Sequence, residues 1–229
     1  MVPGCNLDIM SYNLPDKYVI TIGRQMGSGG RLLGRILADR LGIAFYDREL
    51  LMQAARDSGL SPEFFEQKDE RRPQLFSGLF SINMGLSPIT WFDNAAGSND
   101  DALYKAQCDF MHRITTDKPC VIVGRSADYV LRDLPNLVNI FVHADPDDCA
   151  RRVFERDPQG RTLEQCRAYC EKTNKLRANF YNFYTDKRWG DSTSYDLCFN
   201  SSVMSLEDIA DITIEYLKKR FNPTQPNRG

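Results

Sequence analysis

The stretch that decides the fold reads YVITIGRQMGSGGRLLGRILADRLGIAFYD and runs from Tyr18 to Asp47. Val19 to Ile22 is a short run rich in β-branched residues, which is typical of a buried parallel strand. A glycine-rich turn follows, and apolar residues then recur at helical spacing until Gly42 ends the helix. A second short apolar run ends at Asp47. This order of elements predicts a strand–turn–helix–strand unit at the centre of an α/β fold.

The turn itself indicates a binding site for phosphate. It contains Gly27, Ser28, Gly29, Gly30 and Arg31, and we expect its three glycines to bend the chain through positive φ. Backbone N–H groups that are free of Cβ atoms can then approach an anion at the positive end of the helix dipole. The alternative is a plain turn that only joins a strand to a helix.

The turn departs from the usual phosphate-loop pattern G-x-x-x-x-G-K-[ST]. If Gly29 is the second glycine of the pattern, Gly30 occupies the lysine position and Arg31 occupies the hydroxyl position. The positive charge on the phosphates must then come from Arg24 or Arg31, or be absent. Ser28 is the remaining hydroxyl that could serve Mg²⁺.

Composition limits the function classes. The chain has 229 residues, 42% of them hydrophobic, which is enough for one substantial core. It contains no apolar run of roughly 20 residues and no basic, apolar leader, so we expect no membrane association and a cytoplasmic location. The seven scattered cysteines favour a reducing compartment, and Cys166 and Cys170 are expected on neighbouring helical turns rather than at a metal. A net charge of −2 argues against nucleic-acid binding.

The remaining pattern predicts a parallel sheet with helices on both faces. Strands are expected near residues 19, 43, 120, 137 and 197, and a helix is expected over residues 102–115. Residues 58–101 are interpreted as a mobile insert, and residues 1–17 and 221–229 as terminal extensions of a domain that spans residues 18–217. Asp47 and Arg125 each follow a strand, so we expect both at the ligand-binding rim.

A group of arginines follows the fourth predicted strand. It includes Arg152 and Arg156, and Arg177 follows later in the chain. One interpretation is a solvated helix face with acidic partners. The other is a set of phosphate ligands, which the glycine turn makes more attractive.

Four segments resemble the cytidylate kinase-like branch of the P-loop nucleoside monophosphate kinases. They are IGRQMGSGGR (Ile22 to Arg31), FYDRELL (Phe45 to Leu51), CVIVGRSADYVL (Cys120 to Leu131) and FYNFYTDKRWGDSTSYDLCFNSS (Phe180 to Ser202). The resemblance implies a three-layer P-loop fold in which residues 27–31 cradle the donor phosphates. It also implies that Asp47 and Arg125 engage an acceptor nucleotide, and that residues 151–180 form a lid.

The same resemblance implies a function. It suggests phosphoryl transfer from ATP, with Mg²⁺, to a nucleoside monophosphate, CMP or dCMP first, or to another small acceptor. Arg24, Arg31, Arg152, Arg156 and Arg177 would then neutralise the transferred group. Asn174 stands where relatives carry an acidic residue. The alternative is a non-catalytic module that binds a nucleotide or an anion and has lost the lysine.

Overall fold

A computed structural model describes residues 14–51, 99–157 and 160–222. Its five strands form one parallel sheet in the order β2-β3-β1-β4-β5. The strands are β1 (Val19–Arg24), β2 (Ala44–Tyr46), β3 (Cys120–Val123), β4 (Leu137–His143) and β5 (Leu197–Asn200). All five strands that the sequence predicts are therefore confirmed.

Helices cover both faces of this sheet. Within the described ranges they are α1 (Gly30–Leu41), α2 (Asn99–Ile114), α3 (Ala127–Val130), α4 (Pro146–Phe154), α5 (Leu163–Thr185) and α6 (Leu206–Phe221). Residues 48–51 are also helical, and Ser192–Ser194 form a short 3₁₀ turn. The expected α/β class with a doubly covered sheet is confirmed.

The central position of β1 follows from its neighbours. It pairs with β3 on one side and β4 on the other, so that Ile22 lies level with Val123 and Ile140. All three side chains are fully buried. A strand that is covered on both faces and on both edges needs the nearly continuous apolar run seen in the sequence.

Two hydrophobic layers hold the helices on the sheet. On one face, Leu33 and Leu37 of α1 and Ile209 and Leu217 of α6 pack in one cluster with Ile20. On the other face, side chains of α2 and α3 pack against β1 and β3, and this cluster includes Phe110, Met111, Val130, Leu131 and Ile122. The layers leave the carboxyl ends of the strands uncovered, which is where ligands bind in open parallel sheets.

The predictions that Gly42 ends a helix and that Cys166 and Cys170 lie on neighbouring turns are confirmed, and α6 has a side-chain cap. Gly42 ends α1 in the left-handed conformation at φ 65°. Ser205 caps α6 by accepting a hydrogen bond from the Asp208 backbone N–H at 3.1 Å. Cys166 and Cys170 lie on neighbouring turns of α5, and both are buried.

The predicted insert and terminal extensions fall mostly on residues that the structure does not describe. Most of the predicted insert at residues 58–101 lies outside the described residues, and so do residues 1–13 and 223–229. The described part of helix α2 runs from Asn99, so it includes the helix predicted from residue 102. The proposed domain limits stay a prediction. Within the described ranges, no helix is long and apolar enough to cross a membrane.

Candidate active site

A cleft of about 830 Å³ opens beyond the carboxyl ends of β1, β2 and β3. Its walls come from the glycine turn after β1, the segment after β2, the turn after β3, and helices α4 and α5. Every predicted site residue except Ser28 lines it: Arg24, Gly27, Gly29, Gly30, Arg31, Asp47, Arg125, Arg152, Arg156 and Arg177. Ser28 belongs to the same turn but is fully buried.

The glycine loop, residues 24–30, has the backbone that an anion cradle needs. Gly27 and Gly29 both adopt φ 80°, a region that side chains rarely tolerate. Gly30 does not share this property, because it is already the first residue of α1. The expectation of positive φ at all three glycines is therefore wrong for Gly30.

Close packing explains why Gly30 is still a glycine. A Cβ atom there would lie 2.5 Å from the Cβ of Arg24. At Gly27 a Cβ would meet the Cys149 carbonyl oxygen at 2.5 Å, and at Gly29 it would meet the Leu206 side chain at 3.0 Å. The glycines thus let the loop lie directly on α4, α6 and the stem of Arg24.

Side chains of α4 and α5 form hydrogen bonds with two carbonyl oxygens and one N–H group of the loop. Arg177 donates to the Arg24 carbonyl oxygen at 3.0 Å, and Arg152 donates to that of Gly27 at 3.4 Å. The Met26 N–H donates to the Asn174 side-chain oxygen at 2.7 Å.

The N–H groups at the start of α1 are left for a ligand. Within the described part of the chain, those of Gly29, Gly30 and Arg31 donate to no protein atom. They lie at the N-terminal, positive end of a twelve-residue helix. This arrangement suits the oxygen atoms of a phosphate group.

Ser28 does not suit the role of a metal ligand. Its side chain is fully buried, and its hydroxyl donates to the Gln25 carbonyl oxygen at 2.9 Å. Its own carbonyl oxygen accepts from the Ser201 hydroxyl at 2.7 Å. The hydroxyl therefore shapes the loop, which corrects the expectation that Ser28 might substitute for the missing hydroxyl ligand.

Arg31 forms an ion pair with Asp47. Its Nε and Nη2 atoms lie 2.8 and 2.6 Å from the same Asp47 oxygen. The other Asp47 oxygen accepts from the backbone N–H groups of Glu49 and Leu50, both at 3.1 Å. Asp47 is only 4% exposed, so it fixes the turn after β2 and orients Arg31. Its expected contact with an acceptor stays a prediction, and that carboxylate already has protein partners on both oxygens.

Arg24, Arg125 and Arg177 form a positive cluster in the cleft. Burial lowers the pKa of Arg24 well below its usual value, and the neighbouring Arg177 and Arg125 lower it further. Burial and the nearby Arg48 lower the pKa of Arg125 to about 9. Burial also lowers the pKa of Arg177 to about 10. Among the described residues, none of the three forms an ion pair with a carboxylate. An anion in the cleft would supply the missing negative charge.

The turn after β3, residues 124–126, is strained. Gly124, Arg125 and Ser126 all have positive φ, at 79°, 62° and 52°. Left-handed conformations are costly for residues that carry a Cβ, and they persist where surrounding structure enforces them. The turn places the Arg125 guanidinium 5.8 Å from the centre of the Phe180 ring.

Arg125 could instead pair with Asp128 or Asp133 and only fix the turn after β3. No hydrogen bond or ion pair between described residues links Arg125 to either carboxylate. Asp128 accepts instead from the Tyr181 hydroxyl at 2.6 Å. Arg125 is therefore available to a ligand.

The expected lid residues have different placements. Arg152 is anchored on Ser201 through contacts of 2.9 Å to the hydroxyl and 2.6 Å to the carbonyl oxygen. Arg156 is exposed at the cleft wall. Arg177 lies deep in the cleft, between Asn174 and Tyr181 on one face of α5.

Sequence reasoning missed three of these contacts. The spacing of Asn174, Arg177 and Tyr181 by three and four residues was visible and indicates one helical face. Their partners are 148, 153 and 53 residues away in sequence, so that spacing could not identify them. Ser201 carried no signal beyond its place in the last quoted segment.

Solved structures share this fold. An uncharacterized protein from Eubacterium ventriosum ATCC 27560 is 27% identical, with a TM-score of 0.67, and the match covers 89% of this chain and 100% of that one. A gluconokinase from Sinorhizobium meliloti 1021 is 15% identical with a TM-score of 0.50, covering 90% and 94%. A sugar kinase from Janibacter sp. HTCC2649 is 14% identical with a TM-score of 0.50, covering 91% and 97%. The fold is that of P-loop kinases.

A family model gives the more specific assignment. No curated protein matches the chain. The model described as the cytidylate kinase-like family matches residues 19–203, which include the glycine loop, the turn after β3, and the contacts of α5 and Ser201. The chain therefore belongs to the cytidylate kinase-like family.

Proposed function

We propose that the protein transfers the γ-phosphoryl group of ATP to a small anionic acceptor, with CMP or dCMP as the first candidates. The observation that carries this proposal is the convergence of two kinds of anion ligand on one cleft. Unpaired N–H groups of the glycine loop line it, and none of the three clustered arginines forms an ion pair among the described residues, although Asp47 is a negative neighbour of Arg24. Phosphoryl transfer depends chiefly on positioning and charge neutralisation, which these groups can supply.

The donor phosphates would occupy the glycine loop. The N–H groups of Gly29, Gly30 and Arg31 would bind their oxygen atoms at the N-terminus of α1. Arg31 lies beside these N–H groups, but its side chain is engaged with Asp47. We therefore propose that Arg24, rather than Arg31, supplies the positive charge that the lysine of the usual P-loop pattern provides.

Arg24 has the better position for this task. Its guanidinium lies against Gly124, where an added Cβ would overlap it, so it spans from the end of β1 to the turn after β3. Arg177 is its strongest positive neighbour, and Arg125 comes next. A guanidinium between the donor loop and the acceptor turn can contact the group in transfer.

The acceptor's anionic group would bind Arg125. A planar guanidinium can hold a phosphate or carboxylate through two parallel hydrogen bonds. The strained turn aims this side chain into the cleft, next to Arg24 and one strand away from the glycine loop. Donor and acceptor would thus meet above the ends of β1 and β3.

The described residues do not form a ready Mg²⁺ site. Ser28 is turned inward, and both Asp47 oxygens have partners. Among the described residues, no group of three or more His, Cys, Asp or Glu side chains could hold a metal ion. Mg²⁺ in proteins often keeps several waters and binds substrate phosphates, and it would enter here as the complex with ATP.

The test is a screen of ADP formation with full-length protein. ATP and Mg²⁺ are supplied with CMP, dCMP, UMP, AMP, GMP or gluconate, and each rate is compared with the rate without acceptor. Transfer to one acceptor, confirmed by identification of the phosphorylated product, would support the proposal. Binding of ATP without transfer to any acceptor would favour the non-catalytic alternative instead.

A further inference from the structure

Asp128 is a carboxylate of the cleft that the proposed function does not yet use. It lies in α3, three residues after Arg125, and lines the cleft. Four other carboxylates line it. Asp47 and Asp157 pair with Arg31 and Arg161, Glu49 lies near the charge of Arg48, and Glu155 is exposed. Asp128 has no ion-pair partner among the described residues, although the nearby charge of Lys187 lowers its pKa in part.

The surroundings of Asp128 are largely aromatic. Tyr181 donates its hydroxyl hydrogen to one carboxylate oxygen at 2.6 Å. Tyr195 lies close by and packs on Phe141, which in turn contacts Trp189 edge-on. Burial raises the pKa of Asp128, although the Tyr181 hydrogen bond lowers it in part. The backbone N–H groups of Asp128 and Tyr129 also interact with this carboxylate and lower its pKa. A carboxylate has about four acceptor positions, so these donors leave room for one more.

The Tyr181 bond also fixes the direction of this carboxylate. Tyr181 itself is 4% exposed and belongs to the same face of α5 as Arg177 and Asn174, which hold the glycine loop. Helix α5 therefore holds both Asp128 and the glycine loop. A group oriented in this way is suited to selecting a ligand.

We propose that Asp128 is a specificity-determining residue, whose carboxylate accepts a hydrogen bond from an N–H or O–H group of the acceptor. This inference rests on the proposed function, because it presumes that the acceptor's anionic group occupies Arg125. The acceptor is then a small molecule that carries a hydrogen-bond donor as well as an anion. A molecule with an anion alone would desolvate the remaining acceptor position of Asp128 without supplying a donor for it.

A structural role is the competing explanation. The Asp128–Tyr181 pair could serve only to hold α3 against α5. Asp128→Asn separates the two roles, because the Asn oxygen can still accept from Tyr181 while the negative charge is lost. Tyr181→Phe removes the pair and keeps both the ring and the carboxylate. Asp133→Asn is the matched control, since Asp133 is exposed and lies in the same segment.

The experiment measures dissociation constants by titration calorimetry. CMP, UMP, AMP and GMP are titrated into the wild-type protein with a non-hydrolysable ATP analogue present. The tightest ligand is then titrated into each variant. We expect Asp128→Asn to weaken its binding by roughly 10- to 100-fold, as for loss of a hydrogen bond to a charged group. Asp133→Asn should leave it unchanged, and the affinity for the ATP analogue alone should stay constant throughout.

The direction of the change in affinity in Asp128→Asn distinguishes a direct contact from a general charge effect. Removing a negative charge near an anionic ligand strengthens binding through long-range electrostatics. Weaker binding in Asp128→Asn must therefore come from a lost specific contact. Unchanged or tighter binding, with a lower melting temperature in Tyr181→Phe, would assign a structural role and overturn the inference. A wild-type protein that binds the ATP analogue but none of the monophosphates would also overturn it, while leaving the donor site intact.

Discussion

The glycine loop at residues 24–30 and the turn at residues 124–126 follow neighbouring parallel strands, and both use positive φ. The loop reaches it at Gly27 and Gly29, where no side chain is present. The turn reaches it at Gly124 but also at Arg125 and Ser126, which carry side chains. Similar backbone geometry is thus obtained without strain in one place and with strain in the other.

The difference reflects what each turn offers to a ligand. The glycine loop offers backbone N–H groups, for which a Cβ would be an obstacle. The turn after β3 offers the Arg125 side chain, so glycine could not replace it. Strained residues of this kind cost about 1–3 kcal/mol each and are concentrated at functional sites. We infer that the loop is built for the donor phosphates and the turn for the acceptor.

The largest effect is expected at Gly27. Gly27→Ala forces a Cβ into positive φ and toward the Cys149 backbone at 2.5 Å. Strain and overpacking together should lower the free energy of unfolding by about 3 kcal/mol or more. Gly42→Ala is the matched control, because it has φ 65° but no atom within 4 Å of its Cβ position. Urea denaturation should show a loss of about 1 kcal/mol there, and equal losses would contradict the packing argument.

Arg24 joins the two turns and should give the next largest effect. Arg24→Ala is expected to lower turnover by roughly 10² or more, as for loss of a charge contact in the transition state. Arg31→Ala should be milder, because the Arg31 guanidinium is bound to Asp47. Steady-state rates of ADP formation test this order, with the exposed Arg40→Ala as control. A larger loss of turnover in Arg31→Ala than in Arg24→Ala would mean that Arg31 has the role of the P-loop lysine.

The fold was predictable because its signals are local. The apolar runs at Val19 and Cys120 and the cap at Gly42 follow from hydrophobic pattern and backbone preference, and the structure confirms them. The resemblance to the cytidylate kinase-like family was also correct. Polar residues that follow parallel strands could be expected at the same edge of the sheet, and Asp47 and Arg125 both line the cleft there.

The partners of the site residues were not predictable, because they depend on tertiary contacts. Sequence spacing placed Arg31 and Asp47 in the site but did not show that they neutralise each other. Nothing local indicates that Ser28 turns inward or that Asn174 binds the Met26 N–H. Positive φ at Arg125 is likewise imposed by the surrounding structure.

Ser126 allows a test of strain with a smaller effect. Its φ is 52°, and its hydroxyl oxygen is buried without a partner among the described atoms. Ser126→Gly removes both penalties, so we expect the free energy of unfolding to rise by about 0.5–1 kcal/mol. The increase would appear as a higher urea midpoint with an unchanged slope. A decrease would mean that the turn is not strained in the way its dihedral angles imply.

The smallest expected effect concerns Asp128 and pH. Its pKa is raised by burial, so the folded state keeps this proton at pH values where the unfolded state has released it. Ionised Asp128 therefore opposes folding at pH values above its folded pKa, and the penalty fades as pH falls toward its unfolded pKa. Asp128→Asn should be slightly more stable than wild type at about pH 7, and the difference should shrink near pH 4. Urea midpoints at both pH values test this, with Asp133→Asn showing no such trend.

The most direct test of a separate acceptor turn is the kinetics of Arg125→Ala. KM values for ATP and for the best acceptor of the screen, together with the melting temperature, should be measured in the variant and the wild type. We predict that the acceptor KM rises at least about tenfold, while the ATP KM and the melting temperature stay nearly constant. A lower melting temperature with an unchanged acceptor KM would contradict the account.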